Sequence, residues 1–343
     1  MLKTIPDADI TALTTFGIRA TARELVLFDS ADDLREYFSS SRPDRFMALG
    51  GGSNMLFVNG HYDGALLHCT DRSFSFSTPD PAGAVILTAG AGCTLDTLCL
   101  ESTARSLWGF ENLSGIPGTI GGAAVQNVGA YGMELKECAT EVTCFDTQTM
   151  RVVKFSAADC RYGYRDSMFK HTSPAARFVV TEVKCRLSAI PAPRLGYAAL
   201  EKLFHDAAPE VLTPSALRQA VIDLRDSKLP DPARTGSAGS FFKNPVVTAE
   251  FHRNMSQRLN IDIPGHVTPS GEVKLSAAWL IDHAGCKPFT CGGAALWKQQ
   301  PLVIVNASGH ASGQDVLTLE KAVVNRVKEA FGVELTPEVV HIP

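Results

Sequence analysis

"FENLSGIPGTIGGAAVQNVGAYG" (110–132) sets six glycines and a proline among twenty-three residues. Glycine is costly to order and permits left-handed backbone, so a cluster means tight turns or close approach by something bulky. Two readings fit the stretch alone. One is a run of turns between short strands; the other is a backbone surface moulded around a cofactor, with main-chain N–H groups facing phosphate.

Upstream, "AVILTAGAGCTLDTLCLESTARSL" reads as strand, glycine turn and a helix over roughly 94–106. "ELVLFDS" (24–30) is a short apolar strand, and Ser30 caps the helix "ADDLREYF" with Asp33 in the capping-box position. "RFMALGGGSNMLF" follows as strand, glycine turn, strand. No helical pattern follows Gly50-Gly51-Gly52, so a dinucleotide-binding fingerprint is not supported. A phosphate loop of another architecture, or a hairpin, remains.

Downstream, "ATEVTCFDTQTMRVVKF" alternates around "DTQT" as a β-hairpin, and "RFVVTEVKCRL" (177–187) is a further strand. The prolines and small residues of "SAIPAPRLGY" suggest a domain junction. Beyond it, "SALRQAVIDLRDSKLP" (215–230) is helical up to Pro230. "EVKLSAAWLIDHAG" (272–285) carries helical apolar spacing with Gly285 as its C-cap, and "LVIVN" (302–306) is a buried strand. Residues 313–332 place apolar side chains at 316, 319, 323, 327 and 331 before Gly332, an amphipathic helix. Short strands mixed with helices make the fold α+β. The expected domains are 1–190, in two lobes, and 191–343, with the C-terminal strand returning to the N-terminal lobe.

At 343 residues two or three domains are expected. A net charge of −4 and a pI near 6.1 give no footprint for a nucleic acid. Nine scattered cysteines form no C-x-x-C pair and no zinc spacing, so reduced thiols and no metal are expected. "MLKTIPDADI" lacks a secretory pattern and no run of about twenty apolar residues exists. A cytoplasmic protein without membrane contact, acting as a monomer, is the expectation.

Three places combine reactive side chains with turn chemistry. In "YGYRDSMFK" (162–170), Arg165 and Asp166 form either a surface pair worth little or a cation aimed at developing negative charge. In "ARTGSAGSFFKNP" (233–245), Ser240 precedes two phenylalanines, Lys243 and Asn244. This is a flexible loop on a hydrophobic anchor, or a serine proton donor in a dry pocket; no G-x-S-x-G elbow supports a hydrolase. In "LTPEVVHIP", Glu338 follows Pro337 near the end of the chain. Serine, carboxylate and arginine together could polarise and protonate an enol or enolate.

"TTFGI" (14–18), "LGGGSNMLF" (49–57), "LSGIPGTIGGAAVQNVGAYG" (113–132), "YGYRDSMFK", "AGSFFKNP" (238–245), "KLSAAWLID" (274–282), "KQQPLVIVN" (298–306) and "PEVVHI" (337–342) occur in order. Together they resemble the UDP-N-acetylenolpyruvoylglucosamine reductases, FAD enzymes of peptidoglycan synthesis. The resemblance implies an FAD-binding domain of the PCMH type (vanillyl-alcohol-oxidase-like) and a smaller α+β substrate-binding domain. It implies FAD held by Gly50, Gly51, Gly52, Ser53 and Asn54, and by Ser114, Gly115, Ile116, Pro117, Gly118, Thr119, Gly122 and Ala123. Covalent relatives use histidine or cysteine near such a loop; Ser53-Asn54 here implies non-covalent FAD.

The resemblance further implies NADPH as co-substrate and UDP-N-acetylglucosamine enolpyruvate as substrate. Hydride would reach the methylene carbon, Ser240 would protonate the neighbouring carbon, and Arg165 and Glu338 would stabilise the enolic intermediate. Tyr164, Tyr197, Lys228, Asn244 and Gln299 match substrate-binding positions. Tyr197 in "LGYAAL" implies the loop-containing (type I) subclass. "CGGAALWKQQ" departs from the family in Trp297-Lys298, which leaves the NADPH contacts there unassigned. The alternatives are another flavin oxidoreductase or oxidase on the same fold, and a non-catalytic nucleotide-binding protein.

Overall fold

The computed structural model describes residues 1–41, 43–172, 176–208 and 210–343. The chain divides into two compact units, each assembled from separate stretches of sequence. The first comprises Met1–Ala8, Ala22–Gly52 and Asp63–Asp226; the second comprises Asp9–Thr21, Ser53–Tyr62 and Ser227–Pro343. The junction-like stretch 188–197 therefore lies inside the first unit, whose boundary falls after Asp226. Eight helices are found among the described residues: α1 (Ala31–Ser40), α2 (Leu95–Ala104), α3 (Ile120–Gln126), α4 (Ala198–Phe204), α5 (Pro214–Asp226), α6 (Ala249–Leu259), α7 (Ala277–His283) and α8 (Gly313–Phe331). Among them, no helix is long and apolar enough to cross a membrane.

In the first unit a sheet runs in the order Lys3–Asp9, Thr21–Phe28, His61–Cys69, Phe46–Ala48. The short strand Phe46–Ala48 pairs with His61–Cys69 in parallel, and Met55–Phe57 belongs to the other unit, so "GGGSN" is not a hairpin turn. Ser30 accepts the Asp33 N–H to cap α1, which buries Leu34, Tyr37 and Phe38 against Val26, Phe28, Ala65 and Leu67. A second, antiparallel sheet is ordered Arg151–Ser156, Ala139–Asp146, Phe178–Ser188, Ala84–Gly90, Phe74–Phe76. The predicted hairpin is its first pair, with Asp146 opposite Arg151. α2 and α3, capped by Thr94 and Thr119, share a core with this sheet through Leu98, Cys99, Ile120 and Ala124. α5 packs on α2 and on the turn Glu111–Leu113.

The second unit holds the antiparallel order Ser237–Ser240, Val303–Asn306, Ala294–Leu296, Thr290–Cys291. Val340–Ile342 pairs in parallel with Met55–Phe57. α8 has the expected stripe: residues 316, 319, 323, 327 and 331 are buried, Ser312 and Asp315 form its capping box, and Gly332 ends it at φ 73°. The helical reading of 272–285 is half right. Val273–Leu275 is the central strand of a three-stranded sheet, and only Ala277–His283 is helical. Ser276 sets the break by capping Trp279 N–H.

Candidate active site

In the first unit two glycine loops lie back to back. A Cβ on Gly51 would sit 2.6 Å from the Gly118 Cα, and one on Gly50 would sit 2.9 Å from Thr119 Oγ1. On Gly121 it would meet the Ala91 Cβ at 2.8 Å. The glycines are thus required first by the loops' approach to each other, a reason the sequence reading had not considered. Gly115 and Gly118 add positive φ angles of 70° and 114°.

Most N–H groups of the longer loop have protein acceptors. Those of Ser114 and Ile116 bond to Glu111 and Leu113, and those of Ile120, Gly121 and Ala123 to Cys93, Ala91 and Thr119. Gly115 N–H meets Asp96 at 2.6 Å and Gly122 N–H meets the Thr119 hydroxyl. Among the described residues of this unit, the amides of Gly50, Gly51, Gly52, Gly118 and Thr119 have no protein acceptor. Five amides without a protein acceptor, four of them on glycines, form a donor set that fits the phosphates of a dinucleotide.

Three residues that brace this loop escaped the sequence reading. Asp96 accepts Arg218 at 2.5 and 3.1 Å as well as the Gly115 amide. Burial pushes its carboxyl up, but those two bonds outweigh burial and hold it below its ordinary range. Arg225 lies against the same loop, its Nε 3.0 Å from where a Gly115 Cβ would be, and desolvation lowers its pKa. Arg218 and Arg225 lie on α5, more than a hundred residues beyond Asp96 and Gly115, so no local pattern signals them.

Arg165 adopts φ 55°, a left-handed conformation uncommon for arginine. Its Nη2 donates to the Gly129 carbonyl at 2.6 Å, and its guanidinium lies 5.5 Å from the Tyr164 ring. The surface Arg165–Asp166 pair is not what forms. Asp166 pairs instead with His171 at 2.8 Å, and Gly163 and Asp166 close the turn between them. Tyr197 packs on Tyr131, edge to face at 5.1 Å. Arg165 and Tyr197 therefore both engage the 129–132 stretch of the glycine-rich motif.

In the second unit, Ser240 ends a strand that bulges between Ser237 and Ser240, with Gly239 at φ 70°. The serine is exposed, while Phe241 and Phe242 are buried in the core. The aromatic pair anchors the strand and does not dry the hydroxyl's surroundings. "TTFGI" fixes the strand's start: Ser237 N–H donates to Thr15 O, and a Gly236 Cβ would strike Phe16 O at 2.0 Å. Glu338 N–H donates to Phe241 O at 2.8 Å, which brings Glu338 beside Ser240 on adjoining chain segments. Asn54 Nδ2 donates to Glu338 O and Val340 N–H to Asn54 O. The motif's asparagine thus holds the Glu338 backbone within this unit, and Ser53 precedes it in the same turn. The Lys228 carbonyl accepts Trp297 Nε1 at 3.0 Å, which gives the divergent tryptophan a structural role. Asn244 Oδ1 accepts the Ala277 N–H at the start of α7, and Gln299 is exposed in a bend. Among the described residues, no group of three or more His, Cys, Asp or Glu could hold a metal.

The α+β fold and the glycine cradle define an FAD-binding oxidoreductase, and residues 23–156 match the family model of the FAD binding domain. Residues 231–342 match that of the UDP-N-acetylenolpyruvoylglucosamine reductase C-terminal domain. The chain is 41% identical over 334 residues to the UDP-N-acetylenolpyruvoylglucosamine reductase of Neisseria gonorrhoeae, covering 96% of this chain and 95% of the relative. It is 39% identical to that of Burkholderia ambifaria, covering 98% and 96%. The crystal structure of the corresponding enzyme from Thermus caldophilus aligns over 100% of this chain and 99% of its own, with TM-score 0.68 and 24% identity. The chain belongs to the UDP-N-acetylenolpyruvoylglucosamine reductase family.

Proposed function

We propose that the protein reduces the enolpyruvyl ether of UDP-N-acetylglucosamine to the lactyl ether, UDP-N-acetylmuramate, for peptidoglycan synthesis. NADPH is the reductant, and FAD, held non-covalently, is its carrier. The observation that carries this reading is the pair of opposed glycine loops in which the amides of Gly50, Gly51, Gly52, Gly118 and Thr119 lack a protein acceptor. Gly50–Asn54 and Ser114–Thr119, with Gly122 and Ala123, are the residues that would hold the cofactor. When bound, FAD supplies the hydride that adds to the substrate's methylene carbon.

The protein's own groups handle charge and proton. Hydride addition to the methylene leaves an electron pair on the adjacent carbon, delocalised into its carboxylate. Arg165, a fixed cation, stabilises that negative charge, and Glu338 hydrogen-bonds the enolic form. Ser240 Oγ–H delivers its proton to the carbon and, being exposed, regains one from water. Tyr164, Tyr197, Lys228, Asn244 and Gln299 are assigned to the sugar nucleotide, with Tyr197 marking the loop-containing subclass. Nine cysteines without a disulfide support a cytoplasmic location, and a monomer is the proposed state.

The purified protein is expected to be yellow, and acid precipitation should leave the colour in the supernatant. In stopped flow, Ser240→Ala should keep NADPH-driven bleaching and lose substrate-driven reoxidation by about 100-fold or more. Equal loss of both half-reactions removes Ser240 from the proton-donor role. Rapid reoxidation by oxygen without the sugar nucleotide would mark an oxidase.

A further inference from the structure

Asn112 is wholly buried in the turn Glu111–Leu113, directly ahead of the cofactor loop. Its amide nitrogen donates one hydrogen bond to Tyr131 O at 2.8 Å and another to Arg194 O at 3.0 Å. The Tyr131 ring in turn meets the Tyr197 ring edge to face at 5.1 Å. A planar NH2 group has two protons, and both are engaged here. Arg194 stands three residues before Tyr197, so fixing its carbonyl restricts the tyrosine to a reach of about 10 Å. Its guanidinium is itself held: Nε lies 3.4 Å from Glu137 Oε2. Beyond Tyr197, the first turn of α4 buries Leu200 against Trp108 and Leu217. A Cβ on Gly132 would stand 3.4 Å from the Tyr197 nitrogen, so the segment seats closely on the glycine-rich loop.

We propose that Asn112 is a positioning residue for the reduction: by bonding the backbones of Tyr131 and Arg194 with one amide, it sets where Tyr197 meets the substrate. This rests on the assignment of Tyr197 to the sugar nucleotide. Asparagine is suited to the task because aspartate, equal in size, would turn oxygens toward two carbonyls. Because the same turn leads into Ser114 and Gly115, the anchor also references the substrate segment to the cofactor loop.

The test uses the FAD-loaded full chain and two variants, Asn112→Asp and Glu137→Gln. The second keeps an acceptor for Glu134 N–H while removing the charge facing Arg194. Asn112→Asp should raise the KM for the enolpyruvyl sugar nucleotide about tenfold, with flavin reduction at saturating NADPH unchanged. Trypsin cleavage after Arg194, followed by mass spectrometry, should quicken about tenfold, and Glu137→Gln should give a smaller increase in the same direction. Tyr197→Phe serves as the reference, raising KM without exposing the Arg194–Leu195 bond. If Tyr197→Phe leaves KM unchanged, the reading of the tyrosine fails, and cleavage still judges the anchor. If Asn112→Asp does not fold, Glu137→Gln decides. Unchanged KM and cleavage in a folded Asn112→Asp, or unchanged cleavage in Glu137→Gln where only it folds, overturns the proposal.

Discussion

Gly51 and Gly118 illustrate how much a single hydrogen atom can decide. Alanine at position 51 would push a methyl to 2.6 Å from a backbone Cα, and no side-chain rotation relieves a clash with main chain. Overpacking of this kind costs about 1–3 kcal/mol. If the strain falls on the cradle, Gly51→Ala should weaken FAD binding by about 5- to 150-fold, read by flavin fluorescence on dilution; retention at wild-type affinity would refute the cradle. At this scale the sequence was informative about where side chains are missing and silent about what they make way for. Arg165 is a parallel case. Its adjacency to Asp166 left open a surface pair or a cation facing negative charge; Asp166 pairs with His171, and the guanidinium reaches Gly129 from 36 residues away.

Among the elements, the hairpin Ala139–Asp146 and Arg151–Ser156 is closed by a carboxylate. Asp146 accepts both Nε and Nη2 of Arg177 at 3.0 and 2.8 Å, and also Gln148 N–H and Thr149 Oγ1. The Arg177 bonds, ahead of the opposing effect of burial, bring its pKa down to about 2 from 3.8. A carboxylate with a depressed folded-state pKa adds stability that is complete above the unfolded value. That stability is lost as pH falls through the folded one. The contribution, about 2 kcal/mol, should therefore be present at neutral pH and fade between about pH 5 and pH 1. Asp146→Asn should lower the melting temperature by about 4–8 °C at pH 7, with the deficit shrinking to a small fraction of that near pH 2; an equal deficit at both pH values would count against the ion pair. The hairpin itself was legible because alternation and a turn are local. The strand at Val273–Leu275 was not, since its apolar spacing continues smoothly into α7 and only strand partners at Val246–Val247 and Gly265–Val267 distinguish it.

For the whole molecule, the least legible property was the interleaving of the two units. Composition marks a proline-rich stretch at 188–197, whereas the contacts of α5 with α2 keep that region in the first unit through Asp226. The class of enzyme, by contrast, was legible because eight motifs stand in register, and the loops they form recur as turns around fixed backbone geometry. Cysteine exposure offers a global test. Only Cys69 and Cys291 are partly exposed, the other seven being buried, and burial pushes the Cys69 thiol up to about 11. Native protein at pH 8 should be alkylated by iodoacetamide at Cys291 first, then at Cys69, with all nine modified after unfolding. Early modification of Cys138 or Cys185 would mean that the core is open.

The parallel pairing of Val340–Ile342 with Met55–Phe57 also bears on biogenesis. Asn54 and Glu338 are 284 residues apart, so at about 5–20 residues per second a ribosome needs roughly 15–60 s between making one and the other. During that interval the early strand has no mate, and the carboxylate assigned to catalysis does not yet exist. A nascent chain can therefore fold much of its cofactor half while still tethered, but it becomes a working reductase only after Glu338 and the strand Val340–Ile342 have been made.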